Sequence, residues 1–378
     1  MKVWNVSFSL IFSSLSCTPI EISNGVIYEH IVKKNLSIHK AQIDPTKASI
    51  ILDAAHGKCK SSEKVTEMAK RHNAILAING SFFDFGQKNK IMDYWIKILD
   101  WLGYDSSHTF PVFCLKIKDK WFSSSNKNAG IIGWNQEQVM CFDTTEMTWF
   151  LQIDEKLYPI ADINKPYAQG PILYNEAYDD ISQKKKNVTE IVVQDGKIKD
   201  IIKGKGGTKI PLNGFIYAIE SKDLSQIDLA NFEIGKSVLL VKKYSNATYK
   251  WEDIDYLLGS TPLLIKNGQI TQTVLSSKSS FFTKFHPRTA VGVLEDGNWI
   301  FIVVDGRQKH SRGMTLLELA QYMKDLGCKY AINLDGGGSS VMVVKNKVVN
   351  LPSGREYSFV RKERFISNAI MVIPKQIG

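Results

Sequence analysis

The chain has 378 residues, 44% of them hydrophobic and 23% charged, with 48 Lys and Arg against 38 Asp and Glu for a net charge of +10. These proportions exclude a disordered tail, a collagen and a coiled coil, and a chain of this length buries enough surface to fold without disulfides or a metal. The cationic excess calls for an anionic partner (nucleic acid, phosphorylated sugar, acidic glycan or membrane surface) without choosing among them.

In chain order, residues 1–16 show one Lys, a modest apolar run and a small-residue end. That layout predicts a secretory signal peptide, too short to span a membrane, with a first β-strand as the alternative. Ser14-Leu15-Ser16-Cys17 echoes a bacterial lipoprotein cleavage box, which makes Cys17 a candidate lipid anchor. No run after residue 17 approaches the ~18 apolar residues of a membrane span. Of the five cysteines no two are spaced CxxC, so a zinc site is not expected, and Cys114 with Cys141 is a conceivable disulfide.

Strand signals dominate. They fall at 48–53, 74–78, 113–117, 190–193, 215–219, 238–242, 263–265, 289–294, 299–304, 330–334, 341–344 and 369–373. Several are followed by Asp-Gly or Asn-Gly turns, the dipeptides that favour hairpins. Helices are few: 62–72 with Val65, Met68 and Ala69 on one face, an apolar stretch 91–102 around Trp95, and 315–326. The last opens with a Thr315/Glu318 capping box, carries Leu316, Leu319, Ala320 and Met323 as one stripe, and stops at Gly327. The cap accounts for Glu318, which is not recruited for catalysis. The class is therefore α+β, a large mixed β-sheet core with few helices. The Lys184–Lys186 run reads as a solvated turn, and without a basic stripe interleaved with aromatics no nucleic acid partner is expected.

The carboxyl-terminal third carries the chemistry. The strand 299–304 ends in Asp305-Gly306-Arg307; helix 315–326 follows; the strand 330–334 ends in Asp335-Gly336-Gly337-Gly338-Ser339-Ser340. Strand, helix, strand predicts a C-terminal βαβ unit with parallel strands, so both Asp-Gly turns share one sheet edge, where ligands of open α/β sheets bind. Neighbouring strands would put Asp305 and Asp335 close enough to divide acid, base or nucleophile roles at a glycosidic carbon. Gly336, Gly337 and Gly338 let backbone N–H groups approach an anion, and Ser339 and Ser340 add hydroxyls. Either aspartate could instead hold a divalent cation such as Ca²⁺.

Upstream, His286-Pro287-Arg288 presents a titratable ring and a bidentate fork suited to phosphate. Ala77-Ile78-Asn79 shares three letters with Ala331-Ile332-Asn333, and Asn79 at a strand end is a candidate substrate contact.

Taken together, Val303-Val304-Asp305-Gly306-Arg307, Gly313 to Ala320, and Asn333 to Ser340 resemble the phosphodiester glycosidase family. So do Ala77-Ile78-Asn79-Gly80 with Phe82-Phe83, Gly259 to Leu264, His286 to Ala290, and Glu363-Arg364 with Asn368-Ala369. In order these motifs span residues 25–373, which reads as one catalytic domain. The resemblance implies hydrolysis of a sugar-1-phosphodiester of the N-acetylglucosamine kind to free sugar and phosphomonoester. Asp305 and Asp335 would be catalytic; Asn79, His286, Arg288, Arg307, Gly336, Gly337, Gly338, Ser339 and Ser340 would bind a sugar-phosphate or phosphorylated glycan. The segment after Asp84 departs from the glycine-rich turn expected there, and the disulfide-rich modules of animal members are not expected from these residues. An exported enzyme of the bacterial envelope, periplasmic, lipid-anchored or extracellular, is expected. The rival readings are a non-catalytic envelope glycan-binding protein and a metal-dependent phosphodiesterase cleaving P–O.

Overall fold

The computed structural model describes residues 15–16, 18–85, 109–124, 129–135, 140–246, 248–353 and 363–375. Residues 1–14, Cys17 and the predicted helix 91–102 lie outside them. The elements that position the site are β1 Val26–Lys33, β2 Leu36–Ile43, β3 Ala48–Ala54, α1 Val65–Arg71 and β4 Leu76–Asn79. After a long β-rich insertion come β5 Leu263–Lys266, β6 Arg288–Leu294, β7 Trp299–Val304, α2 Leu316–Asp325, β8 Cys328–Asn333, β9 Met342–Val344 and β10 Asn368–Pro374.

A nine-stranded first sheet runs β1-β2-β7-β6-β8-β5 with short strands at its edges, and a five-stranded second sheet contains β9-β4-β10-β3. Every pair in these two sheets is antiparallel. The sheet content is thus as expected, but in several sheets rather than one large mixed sheet.

Period-2 alternation explains the layering. Trp299, Phe301 and Val303 of β7 point into a core shared with Ile50, Leu52, Ile78, Ile370 and Val372 of the second sheet. Ile300, Ile302 and Val304 point the other way, onto Leu316, Leu319, Ala320 and Met323 of α2. With both faces covered, all six residues of β7 are buried, and the strand reads as one unbroken apolar run. On the far side α1 lays Val65, Met68 and Ala69 on Ala77, Val343, Ala369 and Met371. The result is a helix–sheet–sheet–helix sandwich. As its sequence predicts, α2 starts at a Thr315/Glu318 capping box.

The βαβ expectation needs correction. β6 lies between β7 and β8 and pairs antiparallel with both. The two Asp-bearing strands therefore do run parallel and end at one edge, but one strand apart, about 10 Å rather than ~4.8 Å. The chain reaches this arrangement because β6 and β7 are joined by the Asp296-Gly297 hairpin before α2 crosses over.

The insertion forms sheets of its own, including Leu115–Ile117, Lys120–Ser123, Gly130–Trp134, Met140–Thr144 and Tyr256–Ser260 in one of them. It joins the sandwich through Trp134, which stacks edge-on against Trp299 and donates from Nε1 to the Ile50 carbonyl. Cys59, Cys114, Cys141 and Cys328 are all buried free thiols, so the Cys114–Cys141 disulfide is absent. Burial pushes the thiols of Cys141 and Cys328 up to about 12. Among the described residues no helix is long and apolar enough to cross a membrane.

Candidate active site

The two sheets bring their edges together at one mouth. Asp335 N–H donates to the Gly80 carbonyl at 3.1 Å, and Asn79 Nδ2 donates to the Asp335 carbonyl at 2.7 Å. Asn79 is buried, and its Oδ1 accepts from Thr289 Oγ1 at 2.8 Å and Val341 N at 3.2 Å. Its amide therefore ties β4, β6 and the Asp335 loop together, a different assignment from the substrate contact read from sequence.

Asp335 itself is half-buried at the rim, and Gly336 N–H donates to its Oδ1 at 2.8 Å. Gly337 N–H donates to the Pro287 carbonyl at 2.9 Å. Two of the glycine amides expected to cradle an anion thus hold the loop closed instead. Gly337, at φ +63°, still answers a steric need, because a Cβ there would stand 3.2 Å from Arg307 Nη2. Ser339 Oγ is 3.4 Å from Arg364 Nη1, and the buried Ser340 Oγ has no hydrogen-bond partner among the described residues.

Asp305 is 2% exposed. Its Oδ2 accepts from Ser37 Oγ at 3.0 Å and lies 3.5 Å from both His39 Nε2 and His310 Nε2. Its Oδ1 accepts from Asn350 Nδ2 at 3.1 Å and Leu351 N at 3.0 Å. Burial alone would push the carboxyl pKa up; the bonds from His39, Asn350 and Leu351 outweigh it and hold it below the ordinary carboxylate value. Ringed by donors, the carboxylate faces groups that suit an anion, not a cation. Among the described residues no group of three or more His, Cys, Asp and Glu is arranged to hold a metal ion.

The cationic residues separate into two kinds. Arg288 is buried and donates through Nε to the Met314 carbonyl and through Nη2 to those of Phe281 and Lys284, so it braces the loop before β6. Burial, with Arg307 nearby, lowers its pKa to about 10. Arg307 stands at φ +58°, a conformation rare for a side chain of this size, and donates to His286 Nδ1. Accepting there, His286 carries its proton on Nε2. Both residues line an open groove of about 630 Å³ with Lys284, Phe285, Lys309 and Arg312. Arg312 stacks over Phe285 at 4.0 Å.

The structure therefore brings Asp335, Gly337, Arg307 and His286 to one rim, and sets Asp305, Arg288 and Asn79 behind it. Sequence reasoning missed Tyr28, His30, Ser37, His39 and His310 around Asp305. Their signal was present in the alternation through Tyr28, His30, Ser37 and His39 on either side of the Lys34-Asn35 turn.

Residues 186–373 match the family described as phosphodiester glycosidase, so the resemblance carried by the motifs is borne out. Among individual proteins, the chain is 35% identical over 108 residues to the N-acetylglucosamine-1-phosphodiester alpha-N-acetylglucosaminidase of Mus musculus, 26% of this chain and 21% of that enzyme. It is 43% identical over 65 residues to the uncharacterized SPbeta prophage-derived protein YomE of Bacillus subtilis, 17% of this chain and 10% of that protein. The matched stretches thus cover about a fifth or less of these curated relatives. In fold it is similar to a Burkholderia pseudomallei protein provisionally described as exported, with a TM-score of 0.79 at 16% identity, covering 99% of this chain and 100% of that one.

Proposed function

We propose that residues 25–373 form one catalytic unit that hydrolyses the glycosidic bond of a sugar-1-phosphodiester, of the N-acetylglucosamine kind, to free sugar and phosphomonoester. The observation that carries this reading is the half-buried Asp335 at a rim shared, through Gly337, with Arg307 and the cationic groove. A carboxylate beside the anomeric carbon stabilises an oxocarbenium-like transition state or attacks it. Arg307 with Lys284, Lys309 and Arg312 supplies the positive potential that a phosphodiester and its phosphate leaving group require. A phosphate ester leaves readily, so the sugar side needs more help than the phosphate side. We read the chain as exported to the cell envelope, supported by the layout of residues 1–16.

Hydrolysis in ¹⁸O-labelled water tests the bond assignment. Label in the released sugar is expected, since water attacks C1; label in the phosphate would establish P–O cleavage and overturn the glycosidase reading. Binding of sugar phosphodiesters without turnover would instead support a non-catalytic glycan-binding protein.

A further inference from the structure

The buried carboxylate of Asp305 cannot reach a sugar in the mouth, since 1% of its side chain is exposed. His310, on the same loop, has 39% of its side chain exposed and holds Nε2 3.5 Å from Asp305 Oδ2. A carboxylate only accepts, so His310 carries its proton on Nε2 and presents Nδ1 as the acceptor. The second contact to that oxygen is fixed in the same way. Tyr28 Oη lies 2.8 Å from His39 Nδ1 and donates to it, which leaves the His39 Nε2 proton for Asp305. His39 is buried, and this tautomer meets Tyr28 on one side of the ring and Asp305 on the other.

The position of this cluster is set by register. His39 pairs with Val303 and Ile38 with Val304, so His39 and Asp305 share the inner face of the first sheet at the edge where β8 also ends. Asn350 then links the cluster to the glycine loop, its Nδ2 donating to Asp305 Oδ1 and to the Ser340 carbonyl, each at 3.1 Å. The charged and titratable groups facing His310 are Asp305 from its own loop, His30 from β1 and His39 from β2, with Arg307, Lys309 and Arg312 flanking it in sequence. Burial holds the His30 ring below its ordinary value.

We propose that His310 is the general base of the reaction and Asp305 its positioning residue. Nδ1 of His310 takes one proton from the attacking water, the water oxygen bonds to C1, and the C1–O bond breaks with its electron pair passing to the phosphate oxygen. This rests on the phosphodiester glycosidase reading. The 3.5 Å contact suits a ligand-free site, where catalytic hydrogen bonds are long and tighten on substrate.

The test uses the full chain and a sugar-1-phosphodiester. In His310→Gln, kcat/KM is expected to fall ~10²–10³-fold, and the decline of rate toward low pH, which reports protonation of the base, should vanish. Imidazole added to His310→Ala should restore part of the rate, a result that a merely structural histidine would not produce. In Asp305→Asn kcat should fall with KM little changed, because the ring loses the carboxylate that fixes its tautomer and orientation. A His310→Gln enzyme with the wild-type rate and an unchanged acid limb overturns the inference. If Asp335→Asn is inactive while His310→Gln is not, the inference fails and the glycosidase reading stands. A wild-type chain with no turnover on any sugar-1-phosphodiester overturns both.

Discussion

The two sheets reach the same mouth and end differently. On the first sheet the edge is ionisable: Ser37 and His39 start β2, Asp305 follows β7 and Asp335 follows β8. On the second it is built of amides: Asn79 closes β4 and Asn368 opens β10, where its Oδ1 accepts from Ser81 N at 2.8 Å. Yet the two halves repeat one construction. A helix lies on the outer face, Ala77 or Ala331 packs beneath it, Ile78 or Ile332 enters the central core, and Asn79 or Asn333 ends the strand. What differs is the loop that follows. After Asn79 the chain turns at once and serves as a brace; after Asn333 it continues through Asp335 and three glycines. A common scaffold can thus assign rigidity to one half and chemistry to the other by changing a few residues beyond the strand.

The comparison predicts that removing the half-buried charge of Asp335 from the first edge damages rate, while removing the buried carboxylate behind it, or the amides of the second edge, damages stability. The largest effect should come from Asp335→Asn, which should lose ~10³-fold or more in kcat with the melting temperature nearly unchanged. Liberated sugar, measured alongside thermal unfolding, checks both halves of that statement.

Asp305→Asn should lower stability at neutral pH by roughly 3 kcal/mol, since it disturbs a buried, hydrogen-bonded carboxylate. The sign with pH follows from its depressed pKa. The stabilisation is complete above the unfolded value near 3.9 and disappears as pH falls through the lower folded value. Urea midpoints of wild type and variant should therefore converge below about pH 4; a constant gap would show that Asp305 is not ionised in the fold.

Asn79→Ala removes four hydrogen bonds and should cost about 2–3 kcal/mol. The matching Asn333→Ala should cost about 1 kcal/mol, because Asn333 Nδ2 donates only to the Thr261 carbonyl and its buried Oδ1 has no partner among the described residues. Equal losses in chemical denaturation would erase the asymmetry between the halves. The smallest effect concerns the helices. Thr315→Ala should cost about 1 kcal/mol at the start of α2, whereas Lys64→Ala before α1, where only the Lys64 backbone N–H bonds to Glu67 and the Lys64 side chain caps nothing, should stay within ~0.5 kcal/mol.

Much of this was legible in the chain. The cap and stripe of α2 are local, and its bounds follow from Thr315, Glu318 and Gly327. The common edge of Asp305 and Asp335 followed from the crossover. The intervening β6 did not, because the hairpin at Asp296-Gly297 sets it beside β7 and the periodicity of β7 and β8 is blind to that pairing. Arg288 looked like an anion fork because sequence shows its fork and not the three carbonyls that claim it. His310 is local to Asp305, but His30, Ser37 and His39 come from strands more than 260 residues earlier, a separation of 268 between Ser37 and Asp305. No local pattern links such partners.

The strand between the two aspartate loops has one further consequence. The gap across the mouth is measured by two backbone ladder spacings, each fixed by peptide hydrogen bonding rather than by any side chain. Point substitutions can repaint the walls of the opening but cannot widen it. On the proposed reading, a change in the size of the sugar ring system would require adding or deleting a strand, whereas a change in what lies beyond the phosphate needs only new residues along the groove. Divergence among proteins built this way should therefore be conservative at the reacting carbon and permissive on the leaving side.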